Sequence, residues 1–264
     1  MNFFGTDGIR GTYGSTLTDS TAYLLGKSLA LIGEDCPIVV VARDTRNSGE
    51  KLFGALASGV YDGGGNVINL GVLPTNAVGH FVRKFGGDFG VMITASHNPP
   101  CDNGLKVFDR YGVKLCAAKQ QKLSQLMDCL PIPDGHLQRV HEPVFYDIDN
   151  IYRDDVIRAV GARLDGMRLA VDCCFGVSCR VAGSVFEAAG ARVCTINDRA
   201  CGDKINVDCG ATHPEVIADF CKGKGIALGF AFDGDADRLA VAEDGRIVPN
   251  NKVYYAIAKF MSEE

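Results

Sequence analysis

Apolar residues recur at helical spacing over residues 19–34 (DSTAYLLGKSLALIGE), and a β-branched run, PIVVVARD from Pro37, follows and ends in charge. The first pattern predicts a helix and the second a short strand. The alternation continues, helical over 48–61, extended over 66–70, helical over 75–85 and extended over 89–94. Repetition of this kind predicts a largely parallel sheet with helices on both faces. Chemistry in such sheets gathers at the carboxyl ends of strands, which is where residues 94–97 fall.

A helical stretch over 117–130 is followed by PIPDGHLQRVHEPVFYD, whose prolines, polar groups and turn formers read as a connection between domains. A second unit begins near Asp149. It repeats the rhythm, with helices over 151–160, 180–189 and 214–222 and strands over 168–172, 192–196 and 226–232. Residues 239–242 and 246–248, joined at Asp244-Gly245, read as a hairpin. Residues 251–261 are helical in pattern and read as the opening of a third unit. The expected fold is α/β: two similar three-layer α/β/α domains with mixed, largely parallel sheets, over 1–148 and 149–248, and the start of another over 249–264. No short-period repeat of the solenoid kind occurs.

Composition narrows the class. A chain of 264 residues with 47% hydrophobic positions can build two ordinary cores. The net charge is −5 and the 27 lysines and arginines are scattered, so no basic field exists for nucleic acid. Polar Asn2, Thr6 and Asp7 stand where a signal peptide has its apolar core, and no run approaches the roughly 20 apolar residues of a membrane span. The expectation is a cytoplasmic protein without a membrane partner. The eleven cysteines are odd in number, lack a CxxC pair, and include adjacent Cys173 and Cys174 with Cys179 at an irregular spacing. They read as free, mostly buried thiols rather than disulfides or a zinc site.

Two segments carry candidate chemistry. Residues 91–100, VMITASHNPP, end an apolar run with Ser96 between polar neighbours and then two prolines, a rigid exposed turn where a serine can meet a ligand. Residues 230–239, FAFDGDADRL, end another apolar run with Asp233, Asp235 and Asp237 at alternate positions, hard carboxylate oxygens suited to Mg²⁺. An EF-hand loop is excluded because Arg238 takes its glycine position and a predicted strand precedes it. If Ser96 carries a phosphoryl group, about −1.5 to −2 charge is added beside it, which calls for a cation. Asn98 and His97 flank the serine, and His97 ranks below Lys106 because adjacent side chains in extended backbone point apart. Lys106, ten residues on, begins an expected strand; it reads either as a proton-transfer group or as an ordinary surface lysine. Arg43 opens RDTRNS at another strand end, where the cluster either orients phosphate or forms ion pairs at a helix start. In FFGTDGIRG, residues 3–11, Thr6, Asp7 and Arg10 are expected on a glycine-flanked loop that can approach a phosphate closely.

Jointly, FFGTDGIRG, TASHNPP and FDGDADR resemble the α-D-phosphohexomutase superfamily, and the opening is most similar to its bacterial phosphoglucosamine mutases. The resemblance covers the whole chain and implies that Ser96 carries the phosphoryl group, that Arg10 lies near it, and that Arg238 belongs to the site. It implies Mg²⁺ held by the three aspartates and an oxygen of phosphorylated Ser96, and it tips Lys106 toward proton transfer. The implied ligands are hexosamine phosphate and its 1,6-bisphosphate, with glucosamine 6-phosphate and 1-phosphate interconverted; a homodimer of the longer protein is allowed. INVDCGATHPE, around His213, is similar to a domain-closing segment of the family. Members have four domains, and the sugar-contacting and distal phosphate loops of the third and fourth are not found before Glu264. Asn250-Asn251 replaces a usual GD, and DCCFGVS from Asp172 replaces a CANGA-like turn. The departures leave two alternatives, a phosphomannose or phosphoglucose mutase and a short non-catalytic homologue that binds sugar phosphate or Mg²⁺.

Overall fold

The chain's first long apolar stripe forms helix α1 (Asp19–Ile32), which begins where the Thr18 hydroxyl accepts a hydrogen bond from the Thr21 amide. Its buried face packs on α2 (Gly49–Asp62). The two helices cross closely because a glycine from each lies at the contact. A Cβ on Gly26 would overlap the Leu56 carbonyl oxygen, and one on Gly59 the Tyr23 carbonyl oxygen. The computed structural model describes residues 3–5, 7–133, 137 and 142–262, which form two compact units, Met1–Ile148 and Asp149–Glu264.

In the first unit, strands β1 (Ile9–Thr12), β2 (Ile38–Arg43), β3 (Asn66–Val72), β4 (Phe89–Ile93) and β5 (Asp102–Asp109) form one sheet in the order β1-β5-β4-β2-β3. Alternate residues of β2 and β4, Val39, Val41, Val91 and Ile93, join one core with α1, α2 and α4 (Ala117–Cys129). Helix α3 (Thr75–Phe85) covers the opposite face, where Val78 and Val82 sit over Gly90. The mixed sheet expected from the sequence is present, and its pairings divide evenly. β2 is parallel to β3 and β4, whereas β5 is antiparallel to β4 and β1. One expectation is corrected: Arg10 lies not on a loop but on β1, because Ile9–Thr12 pairs as an edge strand with β5, placing Arg10 opposite Gly104.

The expected connection over 131–147 is described only in part, with residues 134–136 and 138–141, including His136 and His141, outside the described residues. Its end returns to the first unit. The Phe145 amide donates to the Asn69 carbonyl at 2.7 Å, and the Phe145 ring packs 4.8 Å from Phe85.

The second unit opens at the second residue of α5 (Ile148–Val160) and contains β6 (Arg168–Asp172), α6 (Ser178–Ala188), β7 (Arg192–Ile196), α7 (Pro214–Lys224), β8 (Leu228–Phe232), β9 (Leu239–Glu243), β10 (Arg246–Val248) and α8 (Asn250–Ser262). Its sheet runs β10-β9-β8-β6-β7, again with two parallel and two antiparallel pairings. α7 packs Ile217, Ala218 and Cys221 on one face, and α6 lies on the other, where Phe186 stacks on Phe230 at 5.4 Å. The two sheets share one pattern, but the antiparallel edge strand comes from the start of the chain in one and from a hairpin after β9 in the other. Tyr254, Tyr255, Ile257, Phe260 and Met261 of α8 are exposed.

All eleven cysteines are free, but only Cys173, Cys174, Cys209 and Cys221 are buried. This corrects the expectation of mostly buried thiols. Cys36, Cys101, Cys116 and Cys129 occupy loops and helix ends, where apolar neighbours in sequence do not bring burial. Among the described residues, no helix is long and apolar enough to cross a membrane.

Candidate functional site

Strand β4 is buried along its whole length and delivers Thr94 to its carboxyl end, where the Thr94 amide donates to the Gly104 carbonyl. Gly104 also faces Arg10 across β1, so the arginine's strand flanks the base of the serine loop. Ser96 follows, at 1% exposure buried by the loop around it rather than on the exposed turn expected, and with a left-handed φ of 52°. Such a φ is costly for a residue with a Cβ and persists only where the surroundings over-determine it. The Ser96 amide donates to the Thr94 hydroxyl at 2.8 Å, and that hydroxyl donates to Asp44 Oδ2 at 2.7 Å. The Asn98 side chain donates to Asp102 Oδ2 at 3.1 Å, bracing the loop. The extended backbone assumed when ranking His97 is not present at Ser96, so alternation of side chains gives no reason to turn His97 away.

Lys106 lies in the middle of β5 at 1% exposure, which removes the surface-lysine reading. Its Nζ is 3.8 Å from Asp7 Oδ2, and Asp7 also pairs with Arg10 and Lys114. Burial pushes the Asp7 carboxyl upward, but the Lys114 hydrogen bond and the charges of Lys106, Lys114 and Arg10 outweigh it and hold the group below its usual range. The opening segment therefore contributes an anion shared by three cations. Thr6, expected beside it, lies outside the described residues.

In the RDTRNS cluster the structure separates the two arginines. Arg43 is half-buried at the end of β2, against Gly49. Arg46, which the sequence reading did not single out, is buried with Asp44, Nε to Oδ2 at 2.9 Å. Its remaining N–H groups reach carbonyls of the serine loop. The ion-pair reading of the RDTRNS cluster therefore holds for Asp44 and Arg46, neither of which the sequence reading singled out, nor did it single out Thr94 within residues 94–97. The local signal for the pair was a D-x-R at a strand end, which an ordinary helix start imitates.

The aspartate loop occupies in the second sheet the place that the serine loop occupies in the first, joining a parallel strand, β8, to its antiparallel neighbour, β9. Asp233 and Asp235 are fully buried and Asp237 is exposed, and one carboxylate oxygen from each lies within 4.8 Å of the others. Asp233 Oδ1 accepts from the Arg238 amide at 3.1 Å, while the half-exposed Arg238 guanidinium stands 4.0 Å from Oδ2. Three hard oxygens converging from a partly dry loop suit a small divalent cation and fit no soft metal.

Neighbouring segments hold this loop. The Gly234 amide donates to Asn206 Oδ1 at 3.0 Å, and the Gly234 carbonyl accepts from the Val177 amide at 3.0 Å. Gly176 packs so closely that a Cβ there would overlap the Gly234 carbonyl oxygen. Asp172, at the end of β6, accepts from the amides of Cys174 and Gly210 and from Asn197, and thereby ties the DCCFGVS turn to the segment before α7. His213 immediately precedes α7 and pairs with Glu215 at 3.2 Å.

Residues 1–130 match phosphoglucomutase/phosphomannomutase alpha/beta/alpha domain I, and residues 148–246 match domain II. The chain is 40% identical over 271 residues to a phosphoglucosamine mutase of Clostridium perfringens, covering 98% of this chain and 60% of that protein. A phosphoglucosamine mutase of Moorella thermoacetica is 41% identical over 270 residues, with 99% and 60% covered. A crystal structure of a phosphoglucomutase/phosphomannomutase family protein from Burkholderia thailandensis is similar at a TM-score of 0.76 and 32% identity, over 95% of this chain and 56% of that one. The chain thus spans 60% of the length of these curated relatives.

Proposed function

Because the chain belongs to the phosphoglucomutase/phosphomannomutase family, we propose that it is the phosphoryl-donor part of a phosphoglucosamine mutase, an enzyme that interconverts glucosamine 6-phosphate and glucosamine 1-phosphate. Phosphorylated Ser96 gives its phosphoryl group to the free sugar hydroxyl: the Ser96 Oγ–P bond breaks, a bond from phosphorus to the sugar oxygen forms, and the hydroxyl proton leaves. The product of this half-reaction is a bound 1,6-bisphosphate. Return of its other phosphate to Ser96 completes the isomerisation with no net consumption of phosphate.

Transfer of this kind rests on positioning and charge neutralisation. Asp233, Asp235 and Asp237 are the residues that would hold Mg²⁺, and the cation would supply neutralisation of phosphoryl charge. Arg10 and Arg238 serve the same end from the protein side. Lys106 is assigned to take up that proton, which it would do as the neutral amine, from its buried place on β5 with Nζ 3.8 Å from Asp7 Oδ2. Thr6, His97, Asn98 and Arg43 are assigned to phosphate binding or orientation.

The observation that carries this reading is the pair of equivalent strand-end loops, a buried serine held at positive φ in one sheet and a three-carboxylate cradle in the other, in a chain 40% identical to phosphoglucosamine mutases. The test is incubation with glucosamine 1,6-bisphosphate and Mg²⁺ followed by intact and tandem mass spectrometry. One added phosphoryl group at Ser96, absent from Ser96→Ala and from chelated samples, is expected. A bare Ser96 would overturn the proposal. Relative turnover of glucosamine, mannose and glucose phosphates by the longer polypeptide then decides the sugar.

A further inference from the structure

The Arg46 guanidinium is fully buried, and each of its five N–H groups has a protein partner. Nε donates to Asp44 Oδ2 at 2.9 Å, Nη1 to the Asp102 carbonyl at 2.8 Å and to the Pro99 carbonyl, and Nη2 to the Ser96 and Asn98 carbonyls at 2.9 and 2.8 Å. Four of the five acceptors therefore lie in the segment 96–102. The fifth, Asp44, also takes the Arg46 amide at 3.0 Å and the Thr94 hydroxyl that receives the Ser96 amide. Both sides of Ser96 are thus tied to one buried ion pair: its N–H through Thr94 to Asp44, its carbonyl directly to Arg46.

We infer that Arg46, anchored by Asp44, is the positioning residue that holds Ser96 in its left-handed conformation for phosphoryl transfer. It does not bind phosphate, because no donor remains for one. A guanidinium is required, since its planar fork addresses carbonyls in several fixed directions, whereas a lysine presents three donors about one point. The inference deepens the mutase reading and rests on it for its functional half; the conformational half stands alone.

Two measurements on the full chain separate these halves. Hydrogen exchange of the unphosphorylated protein should show Arg46→Lys exchanging at least about tenfold faster over 95–103 than wild type, as expected for losing even one charge-assisted bond, with α1 and α2 unchanged. Asp44→Asn should loosen the same segment. Phosphoryl uptake at Ser96 from glucosamine 1,6-bisphosphate should slow by about tenfold or more in Arg46→Lys, with Mn²⁺ affinity retained. Unchanged local exchange, or acceleration spread evenly over the first unit, would overturn the inference. So would a loosened loop with wild-type uptake. Wild-type protein that takes up no phosphoryl group would instead overturn the mutase reading, leaving the exchange comparison to decide what Arg46 does.

Discussion

Asp7 shows how one side chain reports on its surroundings, because Lys114, Lys106 and Arg10 together hold its carboxyl below the usual value despite burial. A depressed folded-state pKa adds stability above the ordinary value near 3.8, and that stability is lost as pH falls through the lowered one. Urea midpoints of wild type and Asp7→Asn should therefore differ at neutral pH and converge in acid; a constant gap would show that the carboxylate charge is not the cause. Tyr23 and Tyr61 behave in the opposite sense. Burial, then hydrogen bonds to Asp62 and Glu142 respectively, push both phenols up to about 12. Their contribution is present below the ordinary value near 10 and is lost as pH rises through about 12. Ultraviolet titration should show late-ionising phenols, and Tyr23→Phe and Tyr61→Phe should each remove one.

Among the helices and loops, close approach decides what substitutions are tolerated. At the α1–α2 crossing, Gly59→Ala would drive a methyl group into the Tyr23 carbonyl oxygen. Overpacking of this kind costs about 1–3 kcal/mol, which should lower the urea midpoint without changing the slope. Gly176 plays the corresponding part under the aspartate loop. Gly176→Ala should displace Gly234 and weaken Mn²⁺ binding about tenfold, or about 1.4 kcal/mol, as read by calorimetric titration. Unaltered affinity would mean that the loop adapts and that Asn206 alone suffices to hold it.

The molecule as a whole carries separate cores in its two units, one around α1, α2 and β2, and one around α7 and β8. A ligand of the folded state stabilises by mass action, about 2.7 kcal/mol at a hundredfold excess over Kd. With unphosphorylated protein, Mg²⁺ should slow hydrogen exchange around 233–238 and in β8 and β9, and chelation or Asp235→Asn should abolish the effect. Protection confined to the first unit would place the cation elsewhere.

Periodicity made most of this architecture readable. The helix expected over 75–85 is α3, the strands expected over 168–172 and 192–196 are β6 and β7, and the hairpin at Asp244-Gly245 joins β9 and β10. Alternation along a chain is a local consequence of which face is buried, so it survives without knowledge of partners. The serine and aspartate segments were equally legible, since each ends an apolar run and concentrates its chemistry within a few positions. Ile9–Thr12 was not, because four residues with a glycine become a strand only through pairing with β5. Nor were the partners of Arg46, whose four carbonyl acceptors lie about fifty residues downstream. Amino-acid order decided which segments would be helices, strands and the polar loops at strand ends. Only the tertiary fold decided which buried donors meet which carbonyls, because a hydrogen bond depends on the position of both partners and the pattern along the chain describes one at a time.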